Sequence, residues 1–201
     1  MLQFHWNAET VGVWGCNLFT VVEGFGLFFQ IRQIWKKRSG ESVSVGMMLF
    51  LTTLCVSSIV YGLTYHRRPI VFNGTVLGIG FSAVAVGLWR FKGYRPWERW
   101  FGLGLVASLA AMFITGHFDR WYFLYSAGSA AALALQPLEI WRKRSSGVVD
   151  IRLLLLFFTS NTFWVIYAFA VRDWVLMSLC PIYVLTLGLA IALWWKFRQR
   201  S

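Results

Sequence analysis

A carboxylate, Glu23, stands thirteenth in an apolar run covering residues 11–35. A charged side chain at bilayer depth costs at least roughly 2.5–3.5 kcal/mol on insertion scales. The group is therefore expected to have a raised pKa and one of two roles. It is a proton or cation site facing a cavity, or a protonated carboxyl bonded to a neighbouring helix. Gln30 lies seven residues later, two turns on along the same helix face, so the two side chains could line one path. Asn73 and Asn161 are amides inside other apolar runs. Each could hold a substrate hydroxyl or bond between helices. No enzyme constellation accompanies them: the chain has no glycine-rich phosphate loop and no nucleophile elbow. His5, His66 and His117 are too scattered for a metal site, and no cofactor is expected. Cys16, Cys55 and Cys180 have neither metal spacing nor an even count, and read as small apolar fillers.

The elements that must position these groups are membrane helices. Of the 201 residues 58% are hydrophobic, and the mean hydropathy is +0.59. A soluble domain usually has about 45–50% apolar residues. Runs long enough to cross a bilayer fall at 11–35, 43–65, 69–91, 97–116, 119–141, 148–170 and 174–196. Pro69 and Pro96 sit at helix starts, where a missing N–H costs little. The net charge of +11 does not indicate nucleic acid, because the basic residues lie at the ends of apolar runs rather than on one face. Fifteen of the 19 Lys and Arg residues fall on one side of this alternating topology. Arg67, Arg68, Arg120 and Arg172 fall on the other. The C-terminus is thus expected in the cytoplasm and the N-terminus outside, in the plasma membrane. Met1–Thr10 lacks the positive charge that opens a signal peptide, so the first helix is expected to be retained.

The chain also repeats itself at an offset of 106 residues. The decapeptide from Gln30 to Ser39 matches that from Gln136 to Ser145 at six positions, including Trp35 with Trp141 and Arg38 with Arg144. Val43 then matches Val149, and Tyr61 matches Tyr167. Each copy reads as three spans, with the motif at the end of the first. The expected fold is all-α and integral to the membrane. A first three-helix repeat occupies 1–96, a linker helix 97–118 and a second repeat 119–201. The odd linker helix lets both copies insert the same way up.

The duplicated motif resembles that of the PQ-loop superfamily, in which Pro-Gln near the end of a first helix precedes a basic stretch and a Ser. Gln30, Ser39, Glu41 and Ser44 carry the resemblance in the first copy, and Gln136, Pro137 and Ser145 in the second. The three-plus-one-plus-three layout is similar to that of SWEET sugar transporters, over nearly the whole chain. Tyr61-Gly62 followed by Pro69 and Asn73 is also SWEET-like. The resemblance implies solute-contacting positions at Asn73 and, with one gap allowed, Ser178. It implies a pocket Trp at Trp164, whose counterpart in the first copy is Ser58.

Pro137 and Pro181 lie within spans, where each removes a backbone bond and permits a bend. They read as hinges or as static bends. The first copy lacks such a proline, and Gly24 and Gly26 are expected to supply flexibility there. Most of the twelve tryptophans sit near span ends, as an interfacial belt requires. The small residues of spans four and five, such as Gly102, Gly104 and Ser108, are expected to allow close helix approach.

The expected function is movement of a small polar solute, a sugar first among candidates, by alternating access between two three-helix bundles. The substrate-binding set is Asn73, Trp164, Asn161, Ser178, Gln30 and Gln136, with Glu23 as the coupling candidate. A proton-coupled amino-acid or metabolite transporter using Glu23 is the alternative, and a non-transporting receptor or assembly protein on the same scaffold is a third reading. The expected partners are a solute and membrane lipid, with homo-oligomerisation open.

Overall fold

The computed structural model describes residues 7–39, 43–144 and 151–197. Glu41, Ser145, Val149 and His5 lie outside the described residues. Seven helices follow in order: α1 (Ala8–Lys37), α2 (Val45–Thr64), α3 (Arg68–Phe91), α4 (Pro96–Thr115), α5 (Phe118–Lys143), α6 (Ile151–Ala170) and α7 (Trp174–Phe197). Each agrees with its expected span to within three residues at either end. The chain is a seven-helix membrane protein. Six helices are long and apolar enough by themselves to cross a bilayer. The exception is α5, whose 26 residues dilute their apolar content with Ser, Gly, Tyr and Gln and carry charges at both ends.

Helix starts and stops follow local chemistry. Ser44 caps α2, its hydroxyl accepting from the Met47 N–H at 3.3 Å. Pro96 opens α4, where the Glu98 carboxylate accepts from the Arg95 N–H at 2.7 Å. Glu98 is thereby buried without being orphaned. Four described residues other than glycine have positive φ: Arg38, His66, Arg144 and Arg172, at 49° to 56°. All four are basic-type side chains just past a helix C-terminus. The left-handed conformation costs roughly 1–2 kcal/mol, and a cation beside the terminal carbonyls offsets part of it.

These turns show that the repeat is structural. In the α2–α3 turn the Arg67 N–H donates to Gly62 O at 2.7 Å, and the His66 N–H to Leu63 O at 3.4 Å. In the α6–α7 turn Asp173 donates to Ala168 O at 3.0 Å, and Arg172 to Phe169 O at 3.4 Å. Each pair is the double bond of a Schellman cap, and every atom of one lies 106 residues from its counterpart. The bounds of α2 and α6, and of α3 and α7, keep the same offset at both ends. The register therefore has no gap. This corrects the pairing of Asn73 with Ser178: the counterpart of Asn73 is Leu179, and Ser178 corresponds to Phe72.

The compact units do not follow the repeat boundaries. Thr20–Tyr125 form one unit, and the other groups α1 up to Phe19 with the chain from Ser126 onward. In the first unit α3 packs against both α1 and α2. Gly74 and Gly78, a small-xxx-small pair, bring α3 onto the Cys55 turn of α2, and Gly80 and Gly87 receive Leu27 and Ile34 of α1. Ile34, Val45, Met48, Val84 and Leu88 form its core. The N-terminal turns of α5 belong here too: Tyr122 stacks on Tyr61 of α2 with centroids 4.5 Å apart, and Tyr125 meets Ser108 of α4 at 2.6 Å. Helix α4 rests on α2, with Trp97 and Phe101 over Gly46. Gly104, expected to mediate close packing, has nothing near its Cα face.

In the second unit α6 packs on α7 around Leu154, Leu187 and Ala190. The N-terminal turns of α1 lie against α6. Gly12 sits on the Tyr167 backbone and Gly15 on the Phe163 ring, and Phe19 stacks on Phe163 at 5.6 Å. In each unit the first half of a repeat's leading helix thus packs on the second helix of the other repeat, at the matched tyrosines Tyr61 and Tyr167. The three cysteines are buried, and among the described residues none is in a disulfide.

Candidate functional site

The polar groups at mid-helix depth are held by two clasps, one in each unit. In the first, the Asn73 amide of α3 donates to the Thr20 hydroxyl of α1 at 2.9 Å. Thr20 is 1% exposed, so this bond satisfies a group with no access to water. Glu23 lies one turn further along α1, partly buried. Gly24 meets Val76 of α3, so α1 and α3 are in close contact along this stretch. Thr20, Glu23 and Asn73 therefore form one polar set.

In the second unit the Tyr183 hydroxyl of α7 donates to the Ser126 carbonyl of α5 at 2.7 Å. The Ser129 side chain lies beside that hydroxyl. Ser126 is the counterpart of Thr20, and Ser129 of Glu23. Both repeats thus tie their third helix to the same point of their first. The tie comes from Asn73 in one and from Tyr183, one turn beyond the matching Leu179, in the other. The carboxylate exists only in the first.

The remaining expected site residues are more dispersed. Asn161 donates one N–H to Phe157 O of its own helix at 2.9 Å. Ser178 is exposed and its hydroxyl returns to Trp174 O at 2.7 Å. Ser58 is buried and donates to Leu54 O. Trp164 is partly buried and meets Tyr167 edge to face, with centroids at 6.0 Å. Gln30 and Gln136 are partly buried at matching positions of α1 and α5. Pro137 and Pro181 both lie inside continuous helices. Gly26 has open space beside it.

Residues that the sequence reading passed over complete the picture. Asn17 Oδ1 on α1 is buried with no hydrogen-bond partner among the described residues. An acceptor so placed costs roughly 1–3 kcal/mol if nothing bonds to it. It stands one turn before Thr20, which puts Asn17, Thr20 and Glu23 at successive turns of one helix. Thr20 and Ser126 were legible as polar residues at equivalent repeat positions. Tyr183 was not, because its partner is a backbone atom. Among the described residues no group of His, Cys, Asp and Glu could hold a metal ion.

No family model matches the sequence, and no curated protein sequence matches it. Among solved structures the chain is similar to a eukaryotic SWEET transporter determined at 3.7 Å resolution. The TM-score is 0.72 at 17% identity, over 94% of this chain and 96% of that one. At that identity the likeness establishes the seven-helix SWEET fold.

Proposed function

We propose that the protein is a membrane transporter that moves a small polar solute, a sugar first of all, by alternating access of its two three-helix repeats. The observation that carries the reading is the SWEET fold over 94% of the chain, together with a polar set that this fold retains inside apolar helices. In one unit Asn73 and Thr20 offer an amide and a hydroxyl, groups that suit a polyol; in the other, taken by itself, Trp164 offers an aromatic face of the kind that suits a sugar ring. Pro137 and Pro181 are positions where α5 and α7 can bend. The excess of basic residues on one side supports a cytoplasmic C-terminus, in the plasma membrane.

Uptake into proteoliposomes tests this directly. The expected result is saturable flux of at least one radiolabelled sugar, driven by its own gradient. Absence of flux across a panel of sugars, amino acids and vitamins would sink the transporter reading and favour a receptor or assembly role.

Glu23 supports a second reading, proton-coupled movement of an amino acid or other metabolite. Its carboxyl sits one turn from the Asn73–Thr20 clasp, where protonation can be linked to occupancy of the same polar set.

A further inference from the structure

The two repeats close differently between their first and third helices. In the first, α3 receives α1 at two glycines. A Cβ on Gly80 would lie 2.8 Å from Leu27, and one on Gly87 would lie 3.1 Å from Ile34 and 3.2 Å from the Trp35 indole. At the matched positions α7 carries Thr186 and Leu193. Side chains at these two places hold α5 off the close approach that α1 makes. A groove of about 410 Å³ lies there, lined by Pro137, Leu138 and Trp141 of α5 and by Thr186, Leu189 and Leu193 of α7. Leu138, Trp141 and Leu189 are exposed. The matched rings one turn further on also differ. Trp35 meets Phe91 edge to face, with centroids 5.4 Å apart. The counterpart of Phe91 is Phe197, which is 3% exposed and has two cations over its ring. The Arg144 guanidinium is 5.8 Å from the centroid and the Lys196 ammonium 5.7 Å. Both side chains are exposed. Arg144 follows Trp141 by three residues, and Lys196 follows Leu193 by three. The row of groove residues on each helix therefore ends at a cation.

We propose that this groove binds an acidic phospholipid, with its phosphate against Arg144 and Lys196 and an acyl chain along Trp141, Leu189 and Leu193. Three observations converge on that occupant. Two cations share one ring, which brings like charges together, and an anion beside both relieves their repulsion. They stand at the ends of α5 and α7, next to Trp194 and Trp195, where membrane helices meet headgroups. From them the apolar wall runs back along α7 from Leu193 to Thr186, about two helical turns, as a lipid's two-part chemistry requires. A soluble anion would use the cations and leave that wall bare. The groove follows from Thr186 and Leu193 standing where the first repeat has glycine, so the site is specific to the second repeat. It does not depend on the chain being a transporter.

The full-length protein in detergent is titrated with phosphatidylglycerol or phosphatidylcholine, and bound lipid is read by native mass spectrometry. Wild type is expected to retain phosphatidylglycerol at least about tenfold better than phosphatidylcholine, because two basic residues each attract the acidic headgroup. The double variant Arg144→Asn/Lys196→Gln should lose that preference. Asn is chosen because it tolerates the left-handed backbone at position 144. Lys196→Arg should keep the preference, and so should Arg38→Asn/Arg90→Gln, the matched pair of the first repeat. Ala134 also lines the groove, and its counterpart is Phe28. Ala134→Phe should fill the groove and weaken phosphatidylglycerol retention several-fold with both cations in place. If the double variant does not fold, Lys196→Gln alone should still lower the preference several-fold. An unchanged preference after removal of the cations overturns the proposal. Equal loss in Arg38→Asn/Arg90→Gln also overturns it, since that marks diffuse attraction. Retention unaffected by Ala134→Phe, or displacement of the lipid by glycerol 3-phosphate at comparable concentration, would show that the headgroup alone is held and would overturn the lipid assignment.

Discussion

Asn73 of α3 and Thr20 of α1 are joined by a hydrogen bond of 2.9 Å between side chains 53 positions apart in sequence. The same point of the other repeat, Ser126, is reached by Tyr183 at 2.7 Å. Interhelical polar bonds in membranes average only about 0.6 kcal/mol, so the clasp by itself is a modest stabiliser. Asn73→Leu and Thr20→Val should each lower thermal stability slightly, with a coupling energy below about 2 kcal/mol in a double-mutant cycle. If the set binds solute, Asn73→Leu should cut sugar flux more than tenfold while the fold persists. A loss of flux no larger than the loss of folded protein would assign Asn73 to packing alone.

Glu23→Gln separates the two transport mechanisms. For gradient-driven sugar movement the variant should retain flux, with the same dependence on external pH as wild type. Abolition of a pH dependence that wild type shows would move the assignment to proton coupling at this carboxyl.

Close packing of α1 on α6 gives a graded test of the fold. A Cβ on Gly12 would lie 2.8 Å from the Tyr167 backbone, which cannot swing away. Gly12→Ala should therefore destabilise by about 1–3 kcal/mol. Gly104 has nothing within 4 Å, and Gly104→Ala should be neutral or stabilising by up to about 1 kcal/mol through helix propensity. Unfolding in detergent with sodium dodecyl sulfate would rank them, and a reversed order would contradict the packing.

Tyr94, in the short α3–α4 connection, donates its hydroxyl to Ala85 O at 2.7 Å. Burial and the nearby Glu98 carboxylate raise its pKa above the ordinary value. The folded state thus holds the phenolic proton more tightly than the unfolded chain. Its contribution is fully present below about pH 10 and is lost as pH rises through the higher folded value. Tyr94→Phe should flatten the decline in stability above about pH 10. An identical alkaline decline in the variant would exclude Tyr94 as its source.

Much of the fold was legible in the sequence because a bilayer makes local demands. Backbone groups must bond within each helix, so apolar length alone marked seven segments. The motif from Gln30 and Gln136 fixed the repeat, and the offset of 106 then held through both Schellman turns. The gap assumed between Asn73 and Ser178 failed because a turn bonded from Arg67 to Gly62, and again from Asp173 to Ala168, leaves no room to insert a residue.

The sequence by itself therefore determined how many helices there are, where they end, and that they come as three, one and three. Those properties depend on solvent and on neighbours a few residues away. Only the tertiary structure decided which side chains meet. It placed Tyr122 on Tyr61 and Gly12 on Tyr167, so that α1 and α5 each serve both compact units. It also joined Asn73 to Thr20, gave the matching task to Tyr183, and left Asn17 with a buried acceptor. Such pairings depend on the rotation and depth of each helix against the next. Small residues like Gly74 and Gly80 set these by how closely they let backbones approach, and apolar periodicity in a bilayer does not encode that approach.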